Sequence, residues 1–148
     1  MKTLPQITLD AFRAEDYSIV APYVMTVDRY LELSFELEPG LPPERRRSLA
    51  EKAAQRAKTT SESSFRTILG TTQKEDFSWA QAQLESLIAK STGQKERFEA
   101  SYSETSGAVR VDALLEIISG EESCQLKIDD CFLVGNRRFI GNGFRLLQ

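Results

Sequence analysis

From residue 94 to the end of the sequence, apolar residues recur at every second position, and this change of period decides what the chain can fold into. Phe98, Ala100 and Tyr102 alternate with polar neighbours, and Val109, Val111, Ala113, Leu115 and Ile117 form a second set. Such alternation turns one side of a strand to a core and the other to water. The two runs read as strands joined by Glu104-Thr105-Ser106-Gly107, with Ser119-Gly120-Glu121-Glu122 as the next turn. A third strand is expected from about Cys124 to Val134. Gly135-Asn136, a pair suited to positive φ, leads to a fourth from about Arg137 to Leu147. Residues 94–148 thus predict a four-stranded meander.

Ahead of it the period is helical. Pro42-Pro43 opens a stretch in which Leu49, Ala53, Ala57, Ser64, Phe65 and Ile68 share one helical stripe. Thr59-Thr60-Ser61 weakens it and predicts a split into about 43–58 and 61–69, with Gly70 as the stop. A second helix is expected from Asp76 or Ser78, where Ser78 and Gln81 have the capping-box spacing. Phe77, Ala80, Leu84, Leu87 and Ile88 form its buried face, and Gly93 ends it. In the first forty residues Ile7, Leu9 and Ala11 alternate as in a short strand, and Asp16 to Met25 reads as a short helix or turn around Pro22. Leu31, Leu33, Phe35 and Leu37 alternate with Glu32, Ser34, Glu36 and Glu38 as in a half-buried strand that Pro39-Gly40 ends.

Helices grouped ahead of hairpins indicate an α+β fold, with two or three helices packed on one face of an antiparallel sheet whose C-terminal part is the meander. At 148 residues and 41% hydrophobic, the chain is expected to form a single domain, with its helical layer at about 43–92 and the meander at about 94–148. This order of elements resembles the cone-shaped nuclear-transport-factor-2-like folds. The resemblance implies a curved sheet and packed helices around an apolar pocket, and it carries no residues over.

The chemistry open to the chain is narrow because it contains no histidine, the side chain that titrates nearest neutrality and the commonest metal ligand. Phosphate-loop, dinucleotide-binding, paired-CxxC and GxSxG patterns are also missing from the sequence. No cofactor and no metal are expected. Glu32, Glu36 and Glu38 read as solvated acids. Cys124 and Cys131 would lie about 23 Å apart on one extended strand, so both are expected as free thiols. With no signal-like start and no membrane-length apolar run, the expected location is cytoplasmic.

Asp130 falls in the apolar phase of the third strand, beside Cys124, Leu126, Ile128, Phe132 and Val134. Either it is desolvated, a candidate acid or base with Tyr102 or Arg110 as orienting partner, or it pairs with an arginine such as Arg110, Arg137 or Arg138, or Asp129-Asp130 forms a bulge or turn that places both acids in water. Val134-Gly135-Asn136-Arg137 and Ile140-Gly141-Asn142-Gly143 repeat at a spacing of six, which reads as two turns, or a turn and a bulge. Gly141 and Gly143 leave the last strand bare on one side, where a helix, a ligand or a second subunit could approach, or where a bulge twists a terminal strand.

Net charge is −3, so nothing in the total draws the chain to phosphate backbones or anionic lipid. Charge is uneven all the same. Residues 43–58 carry Arg45, Arg46, Arg47, Lys52, Arg56 and Lys58 against Glu44 and Glu51, whereas 28–38 carry Asp28, Glu32, Glu36 and Glu38 against Arg29. The candidate binding residues are Arg45, Arg46 and Arg56 on the basic helix and Arg137, Arg138 and Arg145 at the end. The function expected is a non-catalytic protein–protein interaction module of adaptor, chaperone or immunity type, an acidic homodimer acting through a sheet edge or the basic helix. The alternatives are a pocket that binds a small apolar ligand or does acid/base chemistry through Asp130, and single-stranded nucleic acid bound through the sheet face, where the last eighteen residues carry three arginines and three phenylalanines, with Phe132 and Phe144 in phase with the buried face. Nucleic acid is the weaker of these, and no membrane partner is expected.

Overall fold

The computed structural model describes residues 1–91 and 99–147. Three helices, α1 (Leu4–Ala14), α2 (Val27–Leu37) and α3 (Pro43–Lys74), precede strands β1 (Gln83–Ser91), β2 (Glu99–Ser101), β3 (Arg110–Ser119), β4 (Glu122–Val134), β5 (Arg137–Ile140) and β6 (Phe144–Leu147). The fold is α+β, with the helices packed against an antiparallel sheet of order β2-β1-β3-β4-β5 and with β6 also on β4.

The helical layer starts far earlier than residue 43, because residues 4–14 and 27–37 are helices rather than strands. At α1 the Thr3 hydroxyl accepts the Gln6 N–H while the Gln6 side chain accepts the Thr3 N–H, a capping box that outweighs the local alternation. At α2 the Thr26 hydroxyl caps the Arg29 N–H. The leucines and glutamates of 31–38 are good helix formers with no β-branched residue among them, so the helix wins over the apparent period of two.

The helix α3 is continuous through the expected break at 59–61 and through Gly70. Its hydroxyls bond back to its own carbonyls, Ser64 Oγ to Thr60 O at 2.6 Å, Thr67 Oγ1 to Ser63 O at 2.9 Å and Thr72 Oγ1 to Ile68 O at 2.8 Å, so they do not compete for the backbone. The helix expected at 76–92 is instead a single 3-10 turn, Trp79–Gln81, followed by β1. Leu84, Leu87 and Ile88 have helical spacing, yet they pair with β3, and tertiary pairing decides. Gly93 and Phe98 lie outside the described residues.

The sheet keeps the expected turns at Gly120 and Gly135, both at positive φ. Its first pairing differs: β2 pairs with β1, not with β3, and residues 102–109 cross the end of the sheet. The fourth strand is broken at 141–143 into β5 and β6. At Gly143 a Cβ would stand 2.6 Å from Ser64 Oγ and 3.0 Å from Thr60 O, so glycine is what lets α3 close on the strand, and Phe144 N–H donates to Ser64 Oγ there.

The core centres on Phe12, whose ring lies 4.4 Å from Phe65, 4.6 Å from Trp79 and 5.6 Å from Phe144. Val111, Ala113, Leu115 and Ile117 of β3 and Leu126, Ile128 and Cys131 of β4 form its sheet side. No helix among the described residues is long and apolar enough to cross a membrane.

Candidate functional site

The carboxylate singled out in the sequence sits in a bulge. Val111 pairs with Cys131 and Ala113 with Ile128, so Asp129 and Asp130 together oppose Asp112, and the Asp130 N–H donates to Asp112 Oδ1 at 2.9 Å. Asp130 has φ of 57°, in the left-handed region that aspartate tolerates better than most residues. The bulge does not leave the acids in open water. Lys127 Nζ lies 3.2 Å from Asp129 and 3.4 Å from Asp112, Arg145 reaches Asp129 at 3.3 Å, and Arg110 lies 3.8 Å from Asp130. Burial raises the proton affinity of Asp130, with Arg110 opposing and Asp112 and Asp129 adding to the shift.

Of the expected partners of Asp130 only Arg110 stands beside it: the Tyr102 hydroxyl donates to Glu104 at 2.7 Å, Arg137 also turns to Glu104, and Arg138 turns to backbone carbonyls. The aromatic neighbour of the bulge is instead Tyr30 of α2, which meets Phe132 edge to face and donates to Gly141 O at 3.2 Å. Burial pushes Tyr30 up to about 12, helped by Asp130 and opposed by Arg56. A carboxyl held by cations next to a protonated phenol is an electrostatic joint between strand and helix.

The six arginines do not converge. Arg138 is 1% exposed and donates only to backbone carbonyls: Ser103 O at 2.8 Å, Ser106 O at 2.7 Å, Ala108 O at 2.8 Å and Cys131 O at 3.1 Å. It clamps the crossing segment 102–109 onto the sheet. Arg137 lies 4.0 Å from Glu104, which also accepts the Leu4 N–H at 3.1 Å and so ties the start of α1 to the same corner. Arg145 is exposed beside Asp129.

Arg46 is 3% exposed on α3 and is also internal. Its guanidinium donates to Ser34 Oγ at 2.5 Å, Glu38 O at 2.8 Å and Leu41 O at 3.0 Å, and it lies 4.3 Å above the Phe35 ring. Only Arg45 and Arg56 of this group are exposed on α3.

Both sequence-level docking ideas move as a result. The β5 edge is occupied, since Met25 N–H donates to Ile140 O at 2.8 Å and Val24 bridges the same residue, and β6 lies against α3. Among the described residues the β2 edge is three residues long. The three phenylalanines of the last eighteen residues pack within the protein, Phe132 on Tyr30, Phe139 under Arg29 at 4.0 Å and Phe144 on Phe12, as the phase of Phe132 and Phe144 implies.

The exposed apolar side chains lie elsewhere. Among the described residues the exposed large hydrophobics are Met1, Phe35 (62%), Leu37 (56%) and Leu49 (46%), and all but Met1 stand on the two arms of the α2–α3 hairpin. Sequence reasoning put these three in the core. One signal could have corrected it: Arg46, Ala50 and Ala57 follow one another at helical spacing on the stripe that is buried, and Leu49 flanks that stripe.

Among the described residues no three Asp, Glu or Cys side chains gather as a metal site. Cys124 and Cys131 are free thiols, Cys124 pushed up to about 11 by burial and then Glu75, and Cys131 raised by burial. Neither is a thiolate near neutral pH. No family model, no curated protein and no solved structure matches the chain.

Proposed function

We propose that this protein is a non-catalytic interaction module whose contact surface is the α2–α3 hairpin, with a second copy of the chain as a partner. The observation that carries the reading is that Phe35, Leu37 and Leu49, the exposed large hydrophobics other than Met1 among the described residues, all stand on that hairpin. Charge supports the choice of partner. One arm carries the exposed acids Asp28, Glu32, Glu36 and Glu38, and the other the exposed cations Arg45, Lys52 and Arg56 on the Leu49 side of α3. Two-fold pairing lays the acidic arm of each copy on the basic arm of the other, which is how a single surface becomes complementary to itself.

The buried arginine is part of the design. By holding the carbonyls of Glu38, Pro39 and Leu41, Arg46 fixes the bend and supports the Phe35 ring from behind. Light scattering of the chain and of the Phe35→Ser, Leu49→Ser double variant tests the reading. The expected result is a dimer at high micromolar concentration for the parent and a folded monomer for the variant. A parent that is monomeric throughout that range, or a variant that associates equally well, contradicts it.

A further inference from the structure

A cleft of about 300 Å³ opens on another flank of α3, walled by Tyr17, Val24, Met25 and Val27 on one side and by Ala54 with Lys58 on the other. It exists for a local reason. The segment facing α3 is made of two 3-10 turns, Tyr17–Ile19 and Ala21–Tyr23, and Ala21 and Ala54 are too short to fill the space between them. Glu51, Ala54 and Lys58 follow one another at helical spacing, well round the helix from Leu49, so this is not the hairpin surface.

The floor is apolar and firm: Val24 and Met25 are almost fully buried, and Met25 N–H is tied to Ile140 O. The polar groups around it are already engaged, with one exception. The Tyr17 hydroxyl is bonded to Ser61 Oγ at 2.6 Å, Thr26 Oγ1 caps α2, Gln55 donates to Thr59 Oγ1 at 3.2 Å, and Glu51 pairs with Arg47 at 3.4 Å. Among the described residues the Lys58 ammonium has no ion-pair partner. An apolar cleft of this size with a single uncommitted cation at its rim selects by charge as well as by shape.

We infer that this cleft binds a small monocarboxylate with a compact apolar body, the body lying on Met25, Val24 and Ala54 and the carboxylate on Lys58. The small volume sets the size of the guest, and the lysine sets the sign of its head group. Three probes that share one body and differ in the head test this: 3-phenylpropanoate, 3-phenylpropan-1-ol and 3-phenylpropan-1-amine, titrated at millimolar concentration into the full chain and followed by amide and methyl NMR shifts.

The acid is expected to move Met25, Val27 and Ala54 signals at lower concentration than the alcohol, with the amine weakest. Ala54→Leu, which fills the cleft and favours helix, should weaken the acid more than tenfold. Lys58→Gln should bring acid and alcohol to equal affinity while leaving the alcohol unchanged. Because Lys58 is exposed, that variant tests the head-group claim even if Ala54→Leu does not fold. Absence of shifts at these residues, an amine that binds as well as the acid, or an acid preference that survives Lys58→Gln would each overturn the assignment. None of these outcomes depends on whether the chain dimerises.

Discussion

Two arginines in this molecule use the same chemistry to opposite ends. Arg138 lies at the closed corner of the sheet, where its guanidinium gathers the carbonyls of Ser103, Ser106, Ala108 and Cys131 and a whole crossing segment is folded over it. Arg46 gathers the carbonyls of Glu38, Pro39 and Leu41 at the bend of a hairpin whose outer side chains stand in water. A planar group with five donors can satisfy several carbonyls at once, so it stabilises irregular backbone where no ladder or helix can. Around Arg138 the result is a crossing segment pinned to the sheet over a buried guanidinium. Around Arg46 it is a rigid platform that presents Phe35 and Leu37 outward.

The comparison is sharpest in stability. Arg138→Met removes the donor from four carbonyls, of which that of Cys131 is buried, and a loss on the order of 4 kcal/mol is expected in denaturant unfolding. Burial disfavours the charged form of Arg138, with Tyr102, Cys131 and Glu104 opposing that shift. Arg46→Met should lower stability by only about 1 kcal/mol, because the carbonyls of the bend can turn to water. It should nonetheless weaken self-association, since the bend it fixes positions the contact residues. Equal losses for the two variants would mean that the corner and the bend are not different kinds of site.

A smaller effect is expected at the bulge. Burial raises the proton affinity of Asp130 in the folded chain above its unfolded value, so its contribution to stability is complete below the unfolded pKa and is lost as pH rises through the folded one. Asp130→Asn, which keeps a residue tolerant of φ near 57°, should therefore gain on the parent as pH goes from acid to neutral. Unfolding midpoints of both proteins across that range check the sign. A variant that loses ground toward neutral pH would show that the Arg110 pairing outweighs burial.

Smaller still is the effect of Phe35→Ser on the fold. The side chain is mostly in water, so thermal unfolding at low concentration should shift by no more than about 1 kcal/mol, the size of its contact with Arg46.

How much of this was legible in the sequence follows the same division. The turns at Gly120 and Gly135 and the existence of the bulge at Asp129-Asp130 were readable because each rests on the local chemistry of one or two residues, whereas the cations that hold the two acids were not, and at Gly143 the sequence left a close approach and a strand-twisting bulge both open. The helices α1 and α2 were misread as strands although Thr3 and Gln6 spelled a capping box at the first, because Ile7, Leu9 and Ala11 fit two periods at once. The strand β1 was misread as a helix because Leu84, Leu87 and Ile88 have helical spacing, and only pairing with a strand some thirty residues later settles them. The roles of Arg46 and Arg138 depend on carbonyls that folding brings together, and for Arg138 these come from residues about thirty positions away.

The central claim is that acidic and basic arms of one hairpin meet across a two-fold axis. The most direct measurement uses two charge-reversed chains, one carrying Glu32→Lys with Glu36→Lys and the other Arg45→Glu with Lys52→Glu, weighed by light scattering alone and mixed. Each variant alone should be monomeric, and the mixture should form a one-to-one dimer, because only in the mixed pair does each arm again face its opposite. A mixture that stays monomeric, or single variants that dimerise as the parent does, would contradict the account.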